Sequence, residues 1–141
     1  MEATSFVADW EAAWATGTTP WDAGQGSAAL KSVRPCVASG FDGFQRTINT
    51  SLQLIGAGIL PKGRALVPGA GSAYDAVTLA AAGWSVTALD ISPTSIKAAT
   101  KAAAKTKEGA AALKSGALSV KCGDFFELRT AQPFDVIFDY T

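Results

Sequence analysis

The stretch that most constrains the fold is RALVPGAGSAYDAVTLAAAGWSVTALDI, residues 64–91. A short apolar run (Ala65, Leu66, Val67) enters a glycine-rich corner, Pro68-Gly69-Ala70-Gly71-Ser72-Ala73. A small-residue helix over 74–82 follows, then a stop at Gly83 and a second apolar run, 86–89, closed by Asp90. This is a strand–turn–helix–strand unit with an acid at the end of its second strand. Gly69 and Gly71 allow a ligand to approach the backbone and the helix N-terminus closely. Asp90 lies 21 residues after Gly69, close to the interval at which a carboxylate meets ribose hydroxyls in nucleotide folds. An adenosine-containing ligand is the first expectation.

The rest of the chain narrows the class. Its 141 residues make one domain by length, and 48% hydrophobic against 17% charged residues is a globular composition. Net charge is zero with no basic run, so nothing recommends a nucleic acid or an anionic membrane as partner. Six lysines between Lys97 and Lys121 are spaced as the solvated face of a helix. No histidine is present, which argues against a zinc site or a Cys–His nucleophile. Cys36 and Cys122 read as small buried residues in a reducing compartment. The N-terminus has neither a basic region nor a continuous apolar one, so the expected location is cytoplasmic.

Before the corner, residues 5–15 read as an amphipathic helix with Phe6, Trp10 and Trp14 on one face and Asp9 and Glu11 off it. Gly17 ends that helix, and an irregular loop carries Trp21, whose indole face suits a sulfonium or other soft cation. Residues 25–45 lack periodicity, and 46–57 suggest a helix packing through Ile48, Leu52 and Ile55. Residues 1–60 are therefore expected to form a helical lid, and 61–141 an incomplete nucleotide-binding core.

After Asp90, Ser92-Pro93 is a helix opening, with serine as N-cap and proline at the first helical position. One helix is expected over 93–115, anchored by Ile96 and Leu113 and ended by Gly116. A third strand (118–120) leads to Cys122-Gly123-Asp124-Phe125, and a fourth (134–139) closes the chain. Alternation of strands and helices implies a parallel sheet. Right-handed crossovers give the order 3-2-1-4, with a ligand crevice at the switch point between strands 1 and 4. Gly69, Gly71, Asp90, Asp124 and Asp139 all fall at the carboxyl ends of these strands. Strand 4 reads as buried on both sides, yet nothing in the chain covers its outer edge. The expectation is a piece of a larger domain, or self-association through that edge.

The corner also bears on the cofactor. Tyr74 stands where a dinucleotide fold has its third glycine, and Asp75 puts a negative charge in the first helical turn. That carboxylate repels a pyrophosphate but attracts a cationic amino group, as in S-adenosylmethionine. A nicotinamide-dependent oxidoreductase and a non-catalytic remnant that at most binds cofactor remain the alternatives.

Five segments together resemble the thiopurine, thiol and halide S-adenosylmethionine-dependent methyltransferase family, closest to its thiol/halide (thiocyanate-type) branch. They are W-x-x-x-W-x-x-G-x-T-P-W-D-x-G (10–24), G-R-A-L-V-P-G-A-G-S-A-Y-D (63–75), L-D-I-S (89–92), G-D-F-F (123–126) and F-D-V-I-F-D-Y-T (134–141). The resemblance implies a Rossmann-like α/β methyltransferase fold with an N-terminal helical lid. It implies that Trp10, Trp14 and Trp21 surround the cofactor and that Gly69 lines its methionine end. Asp90 would hold the ribose, Asp124 and Phe125 the adenine, and Tyr140 the region of the transferred methyl, where it positions the acceptor. Where the family usually has cysteine and a further glycine, this chain has Ala70 and Ala73, and the family's chain continues beyond D-Y-T. The implied substrate is a small soft nucleophile: a thiol, thiocyanate or halide. An in-line displacement by such an anion requires no general base, which accords with the lack of histidine.

Overall fold

A computed structural model of the chain describes residues 3–26 and 62–139, with side chains from residue 8 onward in the first segment. The elements in order are α1 (Ala3–Thr16), β1 (Arg64–Pro68), α2 (Tyr74–Ala81), β2 (Ser85–Asp90), α3 (Pro93–Ala104), α4 (Lys107–Ser115), β3 (Leu118–Cys122), a 3₁₀ turn (Phe125–Glu127) and β4 (Val136–Ile137). The expected helix over 46–57, Cys36 and Tyr140 lie outside the described residues.

The four strands form one parallel sheet in the order β3-β2-β1-β4, as the alternation of apolar runs and helices predicts. Register runs from Arg64↔Ser85 to Pro68↔Leu89 and from Val86↔Leu118 to Asp90↔Cys122. The ladder continues past the strand ends, with Ala70 N donating to Leu89 O at 3.0 Å and Gly123 N to Asp90 O at 2.9 Å. The loops after β1, β2 and β3 are thus fixed side by side.

The core is built largely from small residues. Leu66, Leu79, Trp84, Val86 and Leu118 supply the bulk, and alanines supply most of the rest. α3 buries Ser95, Ala99 and Ala103, and α4 buries Gly109 and Ala112. Such stripes let a helix lie close to its neighbour. A Cβ on Gly109 would overlap the Ala103 carbonyl oxygen. Ile96 and Leu113, expected as anchors, are only half-buried at the flanks. All six lysines of this region are exposed, as their spacing suggests.

The single helix expected over 93–115 is two helices. Thr106 takes an extended backbone (φ −103°, ψ 149°) and its hydroxyl accepts from Gly109 N at 3.0 Å, so it caps a new helix. Alanine-rich helix propensity loses here to a local cap, which satisfies an otherwise orphaned amide.

At the opposite edge, Arg64 clamps β1 to the segment before β4. Its backbone N donates to Asp135 Oδ2 at 2.7 Å, and its guanidinium donates to Gln132 O and to Pro133 O at 2.8 Å. The guanidinium also lies 4.6 Å from the centroid of Phe134. Asp135 is therefore a structural acid at the amino end of the sheet. Two burial expectations fail. Ile137 is 55% exposed, because no described residue covers that face of β4. Cys122 is exposed, since the burial of β3 fades towards its carboxyl end.

Candidate functional site

The glycine corner is held by Asp90. Its Oδ2 accepts from Gly71 N at 2.9 Å and its Oδ1 from Ser92 N at 2.9 Å, while the residue is only 8% exposed. One carboxylate at the end of β2 therefore fastens the loop after β1 and the start of α3. A carboxylate has about four lone-pair positions, and these bonds use two of them. Gly69 and Gly71 have φ of 56° and 52°, the left-handed region that glycine enters without steric cost. Ala73 also has a positive φ, 58°, in spite of its Cβ. It stands as the N-cap of α2 without a side-chain cap, so the first turn of that helix has no hydroxyl or carboxylate of its own N-cap residue in front of it.

A cavity of about 340 Å³ opens over this corner, between the carboxyl ends of β1 and β4. This is the switch point, where the chain has stepped outward from β1 to β3 and returned across the sheet. Its floor is Val67 to Ser72, with Phe138 on the β4 side. Tyr74 and Asp75 of α2 line it together with Trp14, Trp21 and Asp22 of the N-terminal segment. The cavity's acids are Asp22 and Asp75, and no lysine or arginine is among the described lining residues.

The wall contributed by the N-terminal segment has identifiable supports. α1 ends at Gly17, whose φ is 71°, and Trp14 near its last turn lies against Gly71: a Cβ there would be 3.4 Å from Trp14 Cζ2. Trp21 packs edge-on against Trp10 with centroids 4.9 Å apart. Asp22 shapes its own loop by accepting from Gly24 N at 2.9 Å, and its other oxygen accepts from Ser72 Oγ of the corner. Glu11 reaches α3: its Oε2 accepts from Ser92 Oγ at 2.5 Å and Thr94 N at 3.2 Å, its Oε1 from Thr94 Oγ1. Bonds from Ser92 and then Thr94 hold the Glu11 carboxyl below its ordinary pKa of 4.5, with Lys97 adding a smaller attraction.

These contacts also account for the first turn of α3. Pro93 has no N–H, Thr94 N goes to Glu11, Ser95 N goes to Ser92 Oγ at 3.0 Å, and Ile96 N goes to Ser92 O at 3.2 Å. The predicted Ser-Pro opening is present, completed by a carboxylate 83 residues away from Thr94. That helix end is filled by the protein itself.

Of the residues expected at the site, Trp14, Trp21, Gly69 and Gly71 line the cavity. Trp10 stands behind Trp21, and Asp90 lies beneath the corner, outside the cavity wall. Asp124 and Phe125 follow β3, one strand further out. Asp124 is half-buried and caps the 3₁₀ turn by accepting from Phe126 N at 2.8 Å. Phe125 is 40% exposed and packs edge-on against Phe126. Asp139, just past β4, is exposed. Beside Asp90, the thiol of Cys122 is pushed to a higher pKa by desolvation and then by the charges of Asp90 and Glu11.

Sequence reading missed Glu11 and Asp22 as site residues. Glu11 falls off the tryptophan face of its helix, and its partners are distant in sequence. Asp22 does carry a signal, since W-D-x-G places an acid two residues before a glycine, the spacing of an Asx turn.

Residues 7–141 match the thiopurine S-methyltransferase family. Among curated proteins the chain is similar to "Probable thiol methyltransferase 2" of Arabidopsis thaliana, with 36% identity over 94% of this chain and 46% of that protein. It is also similar to "Thiocyanate methyltransferase 1" of Brassica oleracea (32%) and of Arabidopsis thaliana (31%), each over 93% of this chain and 46% of theirs. The chain spans about half the length of the curated relatives it matches. With its 3-2-1-4 parallel sheet and a match over nearly its whole length, the chain belongs to the thiopurine S-methyltransferase family.

Proposed function

We propose that this chain supplies the cofactor-binding half of an S-adenosylmethionine-dependent methyltransferase acting on a small soft nucleophile such as a thiol, thiocyanate or a halide. The observation that carries the reading is the glycine corner, clasped by Asp90 and facing a cleft whose charged lining residues, among those described, are acids. At near-surface effective dielectric, two unit charges about 4 Å apart interact by about 4 kcal/mol. Acids in the lining favour a sulfonium and an ammonium over a pyrophosphate. The cradle also fits the group. A Cβ at Gly69 would meet nothing within 4 Å, which leaves the backbone open from the cleft.

The residues that would hold the cofactor follow the rim of the sheet. The corner at Gly69 and Gly71, with Trp14 and Trp21 opposite, would take the methionine end. Asp90 would use its remaining lone pairs on the ribose hydroxyls, and Asp124 and Phe125 would border the adenine. Three adjacent strands span about 10 Å at the usual spacing, the length scale of a nucleoside.

The bound cofactor supplies an electrophilic methyl on a sulfonium. The protein's part is alignment and exclusion of water. The indoles of Trp14 and Trp21 shield one side of the cleft and offer ring faces to positive charge. Phe138 keeps the β4 side apolar. Tyr140, two residues on, would position the acceptor by its hydroxyl. No proton need be abstracted from an anionic nucleophile, so no general base is assigned.

Competition binding tests the reading. Labelled S-adenosylmethionine should bind and be displaced by S-adenosylhomocysteine but not by NADH. Displacement by NADH alone would turn the assignment to an oxidoreductase.

A further inference from the structure

Three of the chain's four tryptophans belong to an N-terminal segment far in sequence from the sheet, and two of them wall the cleft. Indoles packed only against one another would not hold that segment in one place, since Trp10 and Trp21 are 37% and 50% exposed. Beside the contact of Trp14 with Gly71, two polar anchors among the described residues join the segment to the core. Glu11 fastens the helix to the N-terminus of α3 through Ser92 and Thr94, and Asp22 fastens the following loop to Ser72 of the glycine corner. The two anchors lie on either side of Trp14 and Trp21 in the sequence. One fixes the helix that carries Trp14; the other fixes the loop that carries Trp21.

We infer that Glu11 and Asp22 are positioning residues, a pair of carboxylate staples that hold the tryptophan wall against the glycine corner and so set the affinity for the cofactor. The inference rests on the proposed function for the identity of the ligand, and on geometry alone for the staples. Glu11 lies outside the cleft, whereas Asp22 lines it and adds its charge to its positioning role. Glu11 acts through the aromatic side chain it places, and the staple role of Asp22 is read from ligand-free quenching, which its charge on the ligand does not move. Their partners are hydroxyl and amide donors, not cations, so the direction of each bond specifies where the helix lies. The filled first turn of α3 strengthens this, because releasing Glu11 leaves Thr94 N without its partner. If the wall is docked in only a fraction of molecules, the apparent dissociation constant rises by the inverse of that fraction.

The test uses the whole chain and two readouts. Trp84 is 2% exposed in the core and stays shielded, so acrylamide quenching of tryptophan fluorescence reports chiefly on the N-terminal segment. Glu11→Gln, Asp22→Asn and the double variant are compared with wild type, ligand-free and with S-adenosylhomocysteine. Thr94→Val is included because it weakens the Glu11 staple from the other side, removing the hydroxyl bond to Oε1, and leaves both carboxylates in place. Each single variant should increase quenching and raise the dissociation constant at least fivefold, and the double variant more. Thr94→Val combined with Glu11→Gln should add little to Glu11→Gln alone. A merely stabilising role lowers the melting temperature and leaves the affinity of the folded protein unchanged, which would overturn the inference. Wild-type quenching in the double variant would overturn it as well. If wild type binds no S-adenosylhomocysteine, the proposed function falls, and the ligand-free quenching still decides whether the staples hold the wall.

Discussion

Asp90 has more to do than the sequence interval suggests. With both oxygens bonded to backbone amides of neighbouring loops, its removal leaves two donors unpaired at a nearly buried position. Asp90→Ala should lower stability by about 2–6 kcal/mol, a figure reached from about 1–3 kcal/mol per orphaned group. Denaturant titration measures it. Ala73 presents the opposite case. A left-handed alanine costs about 1–2 kcal/mol, whereas glycine adds about 0.5–1 kcal/mol of unfolded-state entropy and forfeits about 0.8 kcal/mol of buried methyl. Ala73→Gly should therefore leave stability within about 1 kcal/mol of wild type. A loss well beyond that would mean the methyl is needed for packing. Glu11 adds a pH dependence. Its folded pKa lies below 4.5 because Ser92 and Thr94 donate to the ionised form, so its contribution is complete above that value and is lost as pH falls through the lowered one. Lys97 is the cation facing it, with Asp90 and Cys122 on the neighbouring strands. Acrylamide quenching should rise on acidification in wild type, with a smaller rise in Glu11→Gln.

At the scale of elements, periodicity and turn chemistry carried the reading a long way. The four strands, their order and the Ser-Pro opening of α3 were legible because each is encoded locally, by apolar runs and by cap residues. The break at Thr106 was obscured by alanines and lysines that favour helix throughout, and the exception is written in one hydroxyl. Thr106→Ala should destabilise the fold by about 1 kcal/mol. Thermal unfolding would show it, and no loss would mean that α4 is held by packing alone. The staples from Glu11 and Asp22 were not legible. A carboxylate on a helix looks the same in sequence whether it faces solvent or a helix N-terminus, and its partners are 81 and 50 residues away. The glycine corner and its tryptophans were legible because a left-handed turn and an indole in a Pro/Gly loop are unusual enough to need a reason.

For the whole molecule, the switch point between β1 and β4 gathers the corner, the aromatic wall and Phe138 into one cleft. The same arrangement leaves Ile137 exposed on an edge strand. We expect this edge to drive self-association of the chain, and Ile137→Lys should reduce it in sedimentation across a concentration series. A wild-type monomer at all concentrations would refute that. The central claim is that Asp90 and the corner it clasps grip the adenosine of a sulfonium cofactor. Its most direct test is calorimetric titration of S-adenosylhomocysteine into wild type and Asp90→Asn, a substitution that keeps one acceptor for the backbone amides. The account predicts binding to wild type and a weakening of about 1.5–3 kcal/mol in the folded variant; equal affinity for both would contradict it.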